Sequence, residues 1–200
     1  MIEKFLVVVS VTALAMFSPG PDMALVMRNT LTGSQRRGGL TALGVLSGNL
    51  VHIAYCTFGI ALLLSKSPRA YTVLRIASGA YLVYLGIRAL REVTERDESV
   101  RLVGHGNPYR EGFINNVLNP KGSLFYLGVF SQVITPDTSR WQTATLICVM
   151  LGVSTVFWAL FVQTLHLPMI RLWLTRWDVA INRVFGVVLI AIGASVAAIK

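Results

Sequence analysis

Residues 39–64 read GLTALGVLSGNLVHIAYCTFGIALLL, and the surrounding block Gly38–Ser65 contains no Asp, Glu, Lys or Arg. A helix rises 1.5 Å per residue, so about 20 apolar residues cross the roughly 30 Å of bilayer hydrocarbon. This stretch is long enough, and it is not alone. Phe5–Met27 holds no basic residue and Trp141–Ile170 no charged one. Six segments of this kind follow along the chain: Phe5–Met27, Gly39–Leu64, Ala70–Leu90, Gly112–Ile134, Gln142–Leu165 and Ala180–Ile199. The expected fold is an all-α polytopic membrane protein with six transmembrane helices. Composition agrees, because 54% of the 200 residues are hydrophobic and only 14% charged, against about 25% charged in soluble domains. Mean hydropathy is +0.63. A soluble enzyme, a nucleic-acid binder and a disordered chain are excluded.

Little of the chain remains for anything else. The longest polar stretch, Arg91–Glu111, is expected to join a first three-helix half (about 1–90) to a second (about 112–200), within one membrane domain covering 1–200. Basic residues set the orientation. Loops one, three and five carry eleven: Arg28, Arg36, Arg37; Arg88, Arg91, Arg96, Arg101, Arg110; Arg171, Arg176, Arg183. The opposite side carries five: Lys4, Lys66, Arg69, Arg140 and Lys200. The positive-inside rule places the three loops in the cytoplasm and both termini outside. Trp141, Trp173 and Trp177 fall at span ends, where interfacial anchors belong. Leu167–Trp177, mixing Trp, Leu and Arg, suits the membrane surface. Glu3 cancels Lys4 and the apolar stretch resumes after Pro21, so span one is read as retained rather than as a cleaved signal.

Spans one and four carry the chemistry. Span one contains Ser18-Pro19-Gly20-Pro21-Asp22, and span four contains Asn115-Asn116 and then Asn119-Pro120-Lys121-Gly122. Proline lacks the N–H and clashes with the carbonyl four residues back. Pro19, Pro21 and Pro120 therefore free the carbonyls of Ala15, Phe17 and Asn116. Such groups are tolerated in a bilayer only against protein, water or ligand. Both helices are expected to be broken and to line a cavity. Asp22 is the sole acid within the six spans, and Lys121 is one of two basic residues well inside a span. An intramembrane charge marks a functional site by default. Gly20-Pro21-Asp22 and Asn119-Pro120-Lys121 match: a cap-like residue, proline at the first helical position, then a charge. A helix N-terminus favours Asp22 and disfavours Lys121, which calls for an anionic neighbour, either Asp22 itself or an anionic group on a substrate. Three spans separate the motifs, so the second enters from the opposite side, as in an inverted 3+3 repeat.

Other positions admit plainer roles. Gly44, Gly48 and His52 share one face of span two, with Asn49 adjacent. The glycines suit helix packing, and His52 suits substrate, proton or backbone bonding alike. Asn115 and Asn119 share a face of span four and suit interhelical hydrogen bonds. Arg75 suits snorkelling to the interface, and Gln132, Gln163 and His166 lie near span ends. Cys56 and Cys148 lie in spans without metal-ligand spacing.

The ordered motifs resemble the LysE/RhtB family of bacterial amino-acid exporters over almost the whole chain. The carriers are Ser18–Asp22, then Gly33…Arg36-Arg37-Gly38…Gly44…Gly48…His52, then Ser78–Leu82…Tyr84-Leu85-Gly86, and Gly112–Lys121. The resemblance implies a secondary transporter of the bacterial cytoplasmic membrane. It would export an amino acid or derivative by proton antiport, with no cofactor, metal or nucleic acid; its partners are the substrate, protons and the bilayer, with a homodimer allowed. Two departures stand out: Asn49, where some relatives carry an acid, and Ser131-Gln132-Val133 in place of Pro-Gln-Phe. The expected substrate groups are Asp22 for an ammonium or a proton, Lys121 and Asn119 for a carboxylate, and His52, Asn49, Asn115 and Gly20 around them. The alternatives are a thiol–disulfide electron carrier through Cys56 and Cys148, a passive channel, and an intramembrane enzyme, the last disfavoured by a lone acid.

Overall fold

The computed structural model describes residues 2–18, 20–91 and 106–198. Pro19, most of the Arg91–Glu111 connection (with Arg96 and Arg101) and Lys200 lie outside the described residues. Among those described, all regular structure is helical: α1 (Ile2–Phe17), α2 (Pro21–Arg28), a π-helical turn (Asn29–Gly33), α3 (Gln35–Lys66), α4 (Pro68–Arg91), α5 (Pro108–Val117), α6 (Pro120–Val133), α7 (Arg140–Thr164) and α8 (Pro168–Ala198).

Local chemistry sets these boundaries. Proline occupies the first turn of α2, α5 and α6, where a missing N–H costs nothing. The Asn107 side chain caps α5 by accepting from the Tyr109 and Arg110 N–H groups, and Asn119 caps α6 by accepting from Lys121 N–H. Ser34 caps α3, so that helix begins four residues before the apolar block. A reciprocal Ser139–Gln142 capping box opens α7.

Among the described residues, three helices are long and apolar enough to cross a bilayer: α3, α4 from Arg69, and α7. Two bent pairs raise the number to five. Phe5–Phe17 and Pro21–Gly33 meet at 54°, and Pro168–Leu174 meets Val179–Ser195 at 51°. The Leu167–Trp177 segment forms mostly the first turns of α8, before its bend. The fourth expected span consists of two short helices, α5 of 10 residues and α6 of 14.

Polarity is arranged for lipid outside and polar contacts inside. Phe58, Val73, Val156 and Val187 are exposed, whereas Asn49, His52, Asn116, Ser131 and Asn182 are buried. Trp141 is exposed at the start of α7, and Trp173 and Trp177 are exposed within α8. The protein is therefore a multi-pass membrane protein.

Glycine contacts set the closest packing and the chain directions. A Cβ on Gly44 would overlap the Tyr109 carbonyl, one on Gly112 the Thr41 carbonyl, and one on Gly48 the Asn116 side chain. This register (41 with 112, 44 with 113, 48 with 116) makes α3 and α5 parallel. Gly86 faces Gly186 while Gly193 faces Gly79, so α4 and α8 run antiparallel. Both seams join the first part of the chain to the second. The larger apolar core lies among α1, α3, α4, α6, α7 and α8, around Ile60, Leu82, Phe130, Met150 and Leu189.

Candidate functional site: a cavity between two interrupted helices

The break between α1 and α2 and the break between α5 and α6 lie together. Asp22, in the first turn of α2, receives three amide donors from the second break. Asn115 Nδ2 donates to Oδ1 at 2.7 Å, and Asn116 and Asn119 Nδ2 donate to Oδ2 at 3.0 and 3.3 Å. Asn116 Nδ2 also donates to Asn49 Oδ1 at 3.0 Å. The carboxylate is thus spread over a fixed fan of N–H dipoles, a strong arrangement because each bond has a charged acceptor.

Lys121 enters from α6. Its Nζ donates to Ser18 Oγ at 3.0 Å and lies 5.6 Å from the Phe185 ring centroid. Ser18 Oγ in turn donates to Asn182 Oδ1 at 2.8 Å. The sequence calls for an anionic neighbour for Lys121; the Ser18 hydroxyl is one polar neighbour of its ammonium, and Asp22 accepts from the asparagines. Gly20 lies beside the ammonium: a Cβ there would meet Lys121 Nζ at 3.6 Å, an ordinary contact.

A cavity of about 70 Å³ runs between these groups. Asp22, Lys121, Asn49, Asn116 and Asn119 supply its polar wall, and Met16, Met23, Leu85, Phe125, Tyr126, Trp158 and Phe185 its apolar wall. A cavity of about 150 Å³ holds benzene, so this one admits a few waters and is closed to an amino acid.

His52 is wholly buried beside the cavity, outside its lining. Its Nε2 lies 2.9 Å from the Asn116 carbonyl, the group that Pro120 frees, and its Nδ1 lies 2.8 Å from the Tyr55 hydroxyl. A carbonyl only accepts, so Nε2 carries the proton and Nδ1 accepts from Tyr55 in the neutral ring. Of the remaining expected site residues, Asn115 reaches Asp22 from outside the lining, and Pro21 heads α2 on the wall. Pro120 heads α6. Arg75 Nε lies 3.5 Å from Gln132 Oε1, and Gln132 Nε2 donates to the Arg75 carbonyl at 3.3 Å. Cys56 is buried and Cys148 exposed, both as free thiols.

A second polar cluster lies along the same α2–α5 contact. Arg28 Nη2 and Glu111 Oε2 are 3.2 Å apart, with side chains 18% and 20% exposed. Asn29 Nδ2 donates to Glu111 Oε2 at 3.0 Å and to Thr41 Oγ1 at 2.8 Å. Asp22 meets residues 115–119 and Arg28 meets residue 111, so α2 and α5 are antiparallel. The two clamps are about 9 Å apart along α2.

Sequence reasoning did not find Glu111, Asn29, Thr41, Asn182, Trp158 or Phe185. Asn182 carried a usable signal as an amide inside an apolar helix, and so did Glu111 as an acid at the start of one. Nothing in the sequence marks Phe185.

A model of the LysE-type translocators matches residues 13–199. The threonine efflux protein of Escherichia coli (strain K12) is 28% identical over 86% of this chain and 86% of its own length. The homoserine/homoserine lactone efflux protein of Salmonella typhi is 26% identical over 94% and 93%. An uncharacterised membrane protein of Escherichia coli (strain K12), YahN, is 26% identical over 90% and 83%. No solved structure matches. With its motifs in order and the family model covering nearly its whole length, the chain belongs to the LysE-type translocator family.

Proposed function

We propose that the protein is a secondary transporter that exports an amino acid or amino-acid derivative from the bacterial cytoplasm by proton antiport. The observation that carries this is the cavity holding one carboxylate and one ammonium at two helix breaks, within a translocator-family chain. A zwitterion carries the complementary pair. Asp22 takes the substrate ammonium or a proton in turn. Lys121, Asn119 and the positive N-terminal end of α6 take the carboxylate. Asn49 lines the path. His52 holds the Asn116 carbonyl and positions the asparagine fan. Relatives named for threonine and homoserine efflux support an amino acid as the substrate.

The same reading assigns six spans, with α1–α2 and α5–α6 as the broken first and fourth, arranged as an inverted 3+3 repeat. The antiparallel courses of α2 against α5 and of α4 against α8 support it. By basic-residue count both termini lie outside, and the Arg28–Glu111 clamp lies toward the cytoplasm. Because the cavity is too small for an amino acid, entry requires the α2–α5 contact to part at both clamps. The seams of α3 on α5 and α4 on α8 interlock through glycine, so each pair moves as a unit.

The test is expression in an exporter-deficient bacterium challenged with toxic levels of each amino acid and analogue. Resistance to at least one, with faster loss of that labelled compound from preloaded cells, is expected. No resistance and no accelerated efflux for any amino acid overturns the proposal.

A further inference from the structure

Most polar groups on the cavity wall are accounted for by the contacts above, but three atoms are not. Trp158 Nε1, Asn49 Nδ2 and Asn116 Oδ1 are buried without a hydrogen-bond partner among the described residues, and all three residues line the cavity. A buried N–H without an acceptor is destabilising, and indole is a donor only, so Trp158 cannot resolve this by rotating an acceptor into place. The ring itself is fixed. It is 3% exposed and packs edge-on against Phe157 and Phe161, at centroid distances of 5.2 and 5.7 Å. Phenylalanine would offer an aromatic face without the unsatisfied donor.

Trp158 is not itself among the groups assigned to the ammonium and carboxylate. It packs with Met23, Val26, Ala42 and Val45 of α2 and α3, whereas Lys121 is held by Ser18 and Phe185. Two unused donors and one unused acceptor match a hydroxyl, which accepts through its lone pairs and donates one proton.

We propose that Trp158 is a specificity-determining residue whose indole N–H donates to a hydroxyl on a neutral substrate side chain, with Asn49 and Asn116 completing the contact. This rests on the cavity being the substrate site. A site built to bond a hydroxyl rejects the analogue that lacks it.

Threonine and valine, which differ by hydroxyl against methyl, form the test pair in proteoliposomes containing the full chain. Wild-type protein is expected to transport threonine at least about tenfold better than valine, and Trp158→Phe to lower that ratio about tenfold. The ratio is taken on the same vesicles and is independent of protein yield. Transport of valine as well as threonine by the wild type, or an unchanged ratio in Trp158→Phe, overturns the inference alone. Transport of no amino acid overturns the function on which it rests. If Trp158→Phe does not assemble, a protein retaining Trp158 but with Trp141, Trp173 and Trp177 changed to Phe isolates its indole signal. Threonine should then perturb the N–H vibrational band and valine should not; identical spectra with both refute the assignment.

Discussion

Substituting Gly48 with alanine tests whether the asparagine fan depends on the closeness of α3 and α5. A Cβ on Gly48 would overlap the Asn116 side chain, with its Cβ and Cγ both at 2.9 Å. Asn116 has little freedom to retreat, because its amide donates to Asp22 and Asn49 and its carbonyl faces His52. Overpacking costs about 1–3 kcal/mol. Displacing the amide loses one bond to a charged acceptor, about 1.5–3 kcal/mol, and one neutral bond, about 1 kcal/mol. The total is roughly 3.5–7 kcal/mol, or a fall in melting temperature on the order of 10 °C or more. Gly59, in the same helix, is the control: a Cβ there meets nothing within 4 Å, and alanine favours helix by up to about 1 kcal/mol. Thermal unfolding of both variants in one detergent is the assay. Equal melting temperatures for Gly48→Ala and Gly59→Ala would refute the reasoning.

Three further outcomes follow from the contacts described. Arg28→Glu and Glu111→Arg should each impair export, and the double reversal should recover it, with a coupling of about 1–2 kcal/mol; additive losses would show that the pair does not act together. His52→Phe removes one of two donors to the Asn116 carbonyl, which keeps the Asn119 N–H, and should destabilise the protein by about 0.5–1.5 kcal/mol in thermal or denaturant unfolding, so unchanged stability would remove its positioning role. Replacing Cys56 and Cys148 together by serine should leave export intact, and loss of export with preserved folding would revive the electron-carrier alternative.

The helix breaks were legible because proline and an intramembrane charge each carry a strong local penalty that must be met somewhere. Pro120 is the plainest case: the Asn116 carbonyl, deprived of its helical donor, accepts from the Asn119 N–H instead, and His52, singled out by its face of span two, adds a second contact. The partner of Asp22 was less legible. Formal charge pointed to Lys121, while three neutral amides donate to the carboxylate; a single sequence conveys charge more readily than the reach of asparagine. Trp158 and Phe185 were invisible because aromatic residues in apolar helices look alike until packing separates wall from core. Arg28 entered only as one of eleven basic residues on one side, and its contact with Glu111 depends on a register of α2 against α5 that no local pattern encodes.

Counterflow of a radiolabelled amino acid in proteoliposomes, comparing wild type with Asp22→Asn at matched incorporation, tests the central claim most directly. Asn keeps the shape of the side chain and removes the charge that faces the ammonium or proton. The account predicts exchange by the wild type and, in the variant, loss of exchange driven by a pH gradient. Wild-type rates in Asp22→Asn would contradict it.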